Sequence, residues 1–237
     1  DQLPLTQVRR GLTRETNNGK LSARENDSFF SVSGNGFLLS FNRKNGALSS
    51  WRWKDKELIF VPLLPHFTRP LTDNDSRGWK PHKTLAVWYR AEPKKTHFDW
   101  KMHEEGILEI NSHYDVVPDS ARIELTYLID PDGTIRVNYR LKVENPLPDL
   151  PKVGMQCGIA NDFRDITWYG RGPMENYIDR CTGSLAGIYT LTLEDFLEPY
   201  VMPQENGSRT DVRSMFLSNK RNEGLLVVAD STQVTRV

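Results

Sequence analysis

Between positions 108 and 143 the chain alternates apolar and polar residues three times over, and this pattern restricts its fold more than any other feature. Leu108, Ile110, Tyr114 and Val116 alternate with Glu109, Asn111, His113 and Asp115, and Ile123, Leu125, Tyr127 and Ile129 alternate with Arg122, Glu124 and Thr126. After the turn residues Asp130-Pro131-Asp132-Gly133, the third run sets Ile135, Val137, Tyr139, Leu141 and Val143 against Arg136, Asn138, Arg140 and Lys142. A period of two belongs to a strand whose successive side chains point to opposite faces. The segment therefore reads as an antiparallel meander with one wet face, and its apolar face needs a second layer to cover it.

The rest of the chain agrees. Phe29–Ser33 and Phe37–Phe41 are short strands around Gly34-Asn35-Gly36, and Asn42–Gly46 forms a hairpin turn into Ala47–Trp53, where Trp51 and Trp53 share a face and serve packing. Val153–Ile159 and Gly224–Ala229 read as further strands, and Leu193–Leu197 as a single helical turn; no helix of ordinary length is predicted. His97–His103 places Phe98, Trp100 and Met102 on one face and His97, Asp99 and His103 on the other, which reads as a solvated sheet face and not a metal set. Residues 1–28 are polar and read as a linker or the tail of a preceding domain, with an edge strand around Lys20–Glu25, and residues 29–237 read as one β domain.

Lys plus Arg (31) equals Asp plus Glu (31), so no global field favours nucleic acid or an anionic membrane, and no apolar run reaches the roughly 18 residues of a spanning helix. Cys157 and Cys181 are too few for a disulfide framework and read as free thiols.

Against this regular background Trp168-Tyr169-Gly170-Arg171-Gly172-Pro173-Met174-Glu175-Asn176-Tyr177-Ile178-Asp179-Arg180 carries no period. It reads as a loop turning sharply at Gly-Arg-Gly-Pro, either a sugar-binding edge or, by preference, a structural corner tied by Arg–carboxylate pairs. Two other polar stretches stand out, Arg69-Pro70-Leu71-Thr72-Asp73-Asn74-Asp75 and Pro199-Tyr200-Val201-Met202-Pro203-Gln204-Glu205-Asn206-Gly207-Ser208-Arg209-Thr210-Asp211-Val212-Arg213. Asp73 and Asp75 are one residue apart, which in an extended segment puts them on one side. Retaining and inverting glycosidases both need carboxylates flanking a bond, so this pair is not read as catalytic.

In order and wording, these three stretches resemble the W-x-G-x-G-P-x-E-N-Y-x-D-R, R-A-P-x-D-N-D and P-Y-V-x-P-Q-E-N-G-x-R-T-D-V-R signatures in the C-terminal domain, the small chain, of the large β-galactosidases of glycoside hydrolase family 2. The resemblance covers residues ~20–237 and departs from the pattern at Pro70, which directly follows Arg69. It implies an all-β, antiparallel β-supersandwich of the galactose-mutarotase-like kind. It also implies that the catalytic glutamates lie in a TIM barrel outside this chain, with no catalytic residue here.

The same resemblance places Asn74, Asp75, Arg77 and Gly78 near substrate. Arg69, Arg171, Glu175, Asn176, Asp179, Arg180, Glu205, Asn206, Arg209, Asp211 and Arg213 are expected to lock loops, with Arg209 and Arg213 forking onto carboxylates. No metal or cofactor is expected in this domain, the magnesium and sodium of such enzymes being bound elsewhere. The implied partners are a galactoside, through the parent enzyme, and the catalytic barrel; a homo-oligomer is left open, and so is the compartment, bacterial cytoplasm or periplasm. The family domain continues past a strand like Gly224–Ala229 to a sugar-stacking tryptophan, so the chain is expected to be truncated and to leave open strand edges.

Two other readings compete. A stand-alone carbohydrate-binding module would use Trp79, Trp88 and Trp168 on a groove. An aldose epimerase would need a base and an acid across a cleft, drawn from His66 or His82 with Glu175 or Glu205.

Overall fold

A computed structural model describes residues 19–229. Strands dominate, and the helices are single turns. The described residues fall into two compact units, an N-terminal one made of 19–69 and 74–159 and a C-terminal one made of 70–73 and 160–229.

The N-terminal unit is a sandwich. Its first sheet has the order β1 (Ser22–Glu25), β2 (Phe29–Gly34), β3 (Phe37–Asn42), β4 (Leu48–Trp53), β6 (Ile59–His66) and β11 (Gly154–Ile159), with β5 (Lys56–Glu57) paired to β4. The second is the meander, in the order β10 (Ile135–Val143), β9 (Ala121–Ile129), β8 (Leu108–Val117) and β7 (Lys94–Met102), all antiparallel. Every second residue of β8 and β9 is buried, as the alternation requires. The inward rows meet those of the first sheet, with Phe41 edge-on to Tyr127 at 5.1 Å and Phe30 against Trp100 at 5.0 Å. Burying Phe30, Phe41 and Tyr127 contributes about 1.5–3 kcal/mol each, which helps hold the two sheets face to face, while Trp100 stays partly exposed at the edge.

Three expectations are corrected here. β10 is an edge strand, so its apolar row is only half covered and Val137 stays 36% exposed. Trp53, at the end of β4, is likewise exposed and not packed away. The Asp73-Asn74-Asp75 stretch is not extended: it forms the helical turn α1 (Asp73–Arg77), followed by α2 (Pro81–Thr84) and α3 (Ala86–Tyr89). Residues two apart on a helix point to different sides, so Asp73 and Asp75 share no face. The edge strand expected near Lys20–Glu25 is β1, and residues 1–18 of the expected linker lie outside the described residues.

The C-terminal unit is a four-stranded sheet in the order β13 (Leu185–Thr192), β12 (Asp165–Gly172), β14 (Ser214–Ser218) and β15 (Gly224–Val228). Its core is Ile166, Trp168, Phe196 and Val212, flanked by Tyr189, Leu191, Met215 and Leu217. Phe196 reaches it from the single-turn helix α4 (Leu193–Phe196), whose first turn is capped by the Thr192 hydroxyl accepting from the Asp195 N–H.

Trp168–Gly172 also departs from expectation, being the end of β12 and not a loop. Its glycines permit close approach rather than a left-handed turn. A Cβ on Gly170 would lie 2.8 Å from Val212 Cα, and one on Gly172 would lie 2.8 Å from the Trp168 ring. The chain leaves the sheet only at Pro173, after a cis Gly172–Pro173 peptide bond.

Candidate functional site

The C-terminal unit gathers the loop after β12 and the loop after α4 around one carboxylate. Glu175 is 7% exposed and takes hydrogen bonds from the Arg180 guanidinium, the Tyr200 hydroxyl and the Gly207 N–H, the last at 2.8 Å. Burial pushes the Glu175 carboxyl up, but the three donors outweigh it and hold the group below the usual glutamate range. Gly207 presents its N–H from a left-handed φ of 77°, a conformation that favours glycine.

The neighbouring Asn176 is fully buried and uses both ends of its side-chain amide. Its Oδ1 accepts from the Thr210 N–H at 2.9 Å and the Thr210 hydroxyl at 2.5 Å, its Nδ2 donates to the Met174 carbonyl, and its own N–H donates to the Ser208 carbonyl. Arg171, at the end of β12, donates to Asp211 at 2.5 Å and to the Cys181 and Ser184 carbonyls. Four segments of chain are thereby pinned by charge-assisted and amide hydrogen bonds.

The first polar stretch joins the same lock through its backbone. The Asp73 N–H donates to Gln204 Oε1 at 3.0 Å, and the Glu205 N–H to the Leu71 carbonyl at 3.3 Å. Asn206 donates to the Gln204 carbonyl within its own turn.

Arg209 departs from its expected role. It is 1% exposed, yet it lies over the Phe196 ring at 4.3 Å and the Trp168 ring at 5.4 Å instead of forking onto a carboxylate. Among the described residues its side chain donates to the Ser208 carbonyl, and Nε is buried without a partner. The physical reason is competition: Arg180 already occupies Glu175, while a flat guanidinium is well matched to two aromatic faces. Burial pushes its guanidinium down. Arg213 and Asp179 point into solvent and pair with no opposite charge among the described residues, so their expected locking contacts are not formed; the Arg213 main chain does hold Tyr169 and Ala229.

In the N-terminal unit, Asp75 is buried and both its oxygens are taken. Arg69 forks onto it at 2.6 and 3.2 Å, and the Trp79 indole N–H donates to Oδ1 at 2.9 Å. A carboxylate held by three donors on its two oxygens acts as an anchor for this turn. Asn74, Arg77 and Gly78 are exposed on the same turn, which closes through the Gly78 N–H on the Asn74 carbonyl. Trp88 and Trp168 are each 1% exposed, so neither can line a groove.

Among the other candidates, His66 lies beside Thr68 and Lys152, and burial followed by the Lys152 charge pushes it down. His82 keeps a buried Nδ1 without a partner among the described residues. On the wet face of the meander His97 pairs with Asp99 at 2.6 Å and His103 with Glu109 at 2.8 Å, Asn111 donating to both carboxylates. Among the described residues no three His, Cys, Asp or Glu side chains converge as a metal set.

Sequence reasoning did not name Tyr200, Gly207 or Thr210 as partners of the lock. The available signal was their position inside the third motif, but the pairing is between residues 25 to 34 positions apart and no local pattern carries it.

Fold and site together define an all-β protein whose motif residues bind loops to one another. The family model described as "Beta galactosidase small chain" matches residues 33–236, and the chain belongs to that family. Similar proteins include the β-galactosidases of Priestia megaterium, 30% identical over 87% of this chain and 20% of that protein, and of Halalkalibacterium halodurans, 29% identical over 88% and 21%. That of Pseudoalteromonas haloplanktis is 30% identical over 91% and 22%. The chain thus spans about a fifth of the length of the curated relatives it matches.

Proposed function

We propose that this chain is the non-catalytic C-terminal portion of a β-galactosidase of the glycoside hydrolase family 2 type, with a galactose-mutarotase-like fold, which shapes the wall of the active site and supports assembly. The observation that carries this reading is the use of the motif carboxylates. Glu175, Asp75 and Asp211 are each engaged by an arginine, so the polar motifs supply rigidity instead of an acid and a base flanking a bond. Hydrolysis of a terminal β-D-galactoside with retention would be the work of a barrel in the remaining polypeptide, and any magnesium or sodium would sit there.

The assembly role draws support from the two locked loops, which hold Met174, Ile178, Tyr200, Val201 and Met202 exposed, Val201 completely so. Exposed apolar groups on rigid loops suit a docking surface. The epimerase reading draws less support, because Glu175, one of its two carboxylates, already takes three donors, one of them an arginine.

The test is hydrolysis of a chromogenic β-galactoside by the 237-residue chain, alone and mixed with a separately produced barrel-containing fragment. No turnover alone and turnover on mixing is the expected result. Turnover by the chain alone, or none on mixing, would overturn the proposal.

A further inference from the structure

Trp79 is 53% exposed, and packing does not explain its placement. Trp100 is also exposed, but it lies against Phe30 and donates to Glu25. Among the described residues no aromatic ring stacks on Trp79. Its fixed point is the indole N–H, which donates inward to Asp75, a buried carboxylate gripped from behind by Arg69. The Lys80 N–H binds the Asp75 carbonyl at 3.0 Å, and Lys80 has a left-handed φ of 53°, so the chain is held on the far side of the ring as well. A large apolar ring is thereby kept in one orientation with its surface in water. This ordering removes rotamer freedom without burying the ring.

The surroundings indicate what the ring would meet. Asn74, Ser76, Arg77, Gly78 and Lys80 are all exposed, and they offer donors and acceptors but no further apolar area. These neighbours along the chain add no apolar side chain to the ring, whereas the core of a protein–protein interface is typically apolar. A hexose fits better: one face of a pyranose is a patch of C–H groups the size of an indole, and its rim is hydroxyls for amide and cationic donors. In galactose the axial hydroxyl leaves a run of C–H groups together on the opposite face.

We propose that Trp79 is a pre-oriented stacking platform for the pyranose ring of a β-galactoside, positioned by Asp75 and Arg69 and rimmed by Asn74, Arg77 and Lys80. The proposal rests on the reading of this chain as part of a galactoside-acting protein. Asp75 is then a positioning residue, and Trp79 the group that touches sugar. Holding the ring in advance lowers the ordering cost of binding.

Saturation-transfer difference NMR on the 237-residue chain with methyl β-D-galactopyranoside, with sorbitol as an acyclic control, tests this. The expected result is transfer to the galactoside, strongest on the C–H groups of one ring face, absent for sorbitol, at least about fivefold weaker in Trp79→Ala and retained in Trp79→Phe. Near-ultraviolet dichroism from the buried Trp88 and Trp168 checks that each variant is folded. Should Trp79→Ala unfold, the one-faced transfer map of the wild type decides. No transfer, transfer spread evenly over the sugar, or undiminished transfer in a folded Trp79→Ala would overturn the proposal. Transfer lost with Trp79→Ala while the mixing experiment fails would leave the sugar platform standing and remove the β-galactosidase reading.

Discussion

The meander of the N-terminal unit and the locked loops of the C-terminal unit are ordered by different physics. In β8 and β9 every second side chain is buried, and order comes from many small contributions of the same kind. In the loops after β12 and α4 order comes from a few polar groups, each of which satisfies several partners at once: Glu175 takes three donors, and Asn176 joins Met174, Ser208 and Thr210. In the first design the loss of one buried side chain is shared by the whole sheet. The second depends on single residues and on their charge state.

Leu125→Ala offers the largest expected effect. It removes a fully buried side chain from the centre of β9, and a loss of about 2–5 kcal/mol in denaturant unfolding is expected, with hydrogen exchange accelerated across the whole meander. An effect limited to β9 would mean that the sheet is not one cooperative element.

Glu175→Gln keeps the shape but removes the charge. It should cost about 2–4 kcal/mol, with accelerated exchange confined to residues 173–181 and 198–210. The same carboxylate gives the contrast a pH dependence. Its folded pKa is depressed, so its stabilisation is fully present above the ordinary glutamate range and is lost as pH falls through the depressed value. Melting followed from about pH 5 downward should show the wild-type loops loosening on acidification and the Glu175→Gln loops changing much less. Parallel acid profiles for the two proteins would remove Glu175 from its central role.

Arg122→Ala marks the small end of the scale. Arg122 pairs with Asp115 at 3.3 Å and Glu144 at 3.5 Å on the solvated face, all three half-exposed, and its loss should shift stability by about 0.5 kcal/mol or less in thermal melts. A larger change would show that the wet face of the meander also depends on polar ties.

How much of this was legible in the sequence follows the same division. The β8 and β9 runs could be read because strand alternation is local: each residue's face is set by its neighbours two positions away. The same rule over-read β10, since alternation says which face a residue takes but not whether anything covers it. The sequence reads Gly170 and Gly172 as turn formers, whereas they serve close approach to Val212 and the Trp168 ring, neighbours brought in by the segment leading into β14 and by β12 itself. Arg209 and Arg213 look equivalent in sequence, yet one is buried on aromatic faces and the other is in solvent.

The sequence by itself determined the all-β class, the meander and its wet face, the position of most strands, and the three polar stretches that carry the family. It could do so because hydrophobic period, turn residues and motif wording are properties of neighbouring positions. Only the tertiary structure decided which carboxylate each arginine would take, that Asp75 would be enclosed and Trp79 displayed, and that Glu175 would be consumed as a lock. Those outcomes depend on which groups far apart in the chain reach a given lone pair first, and a buried lone pair, once filled, excludes every other claimant.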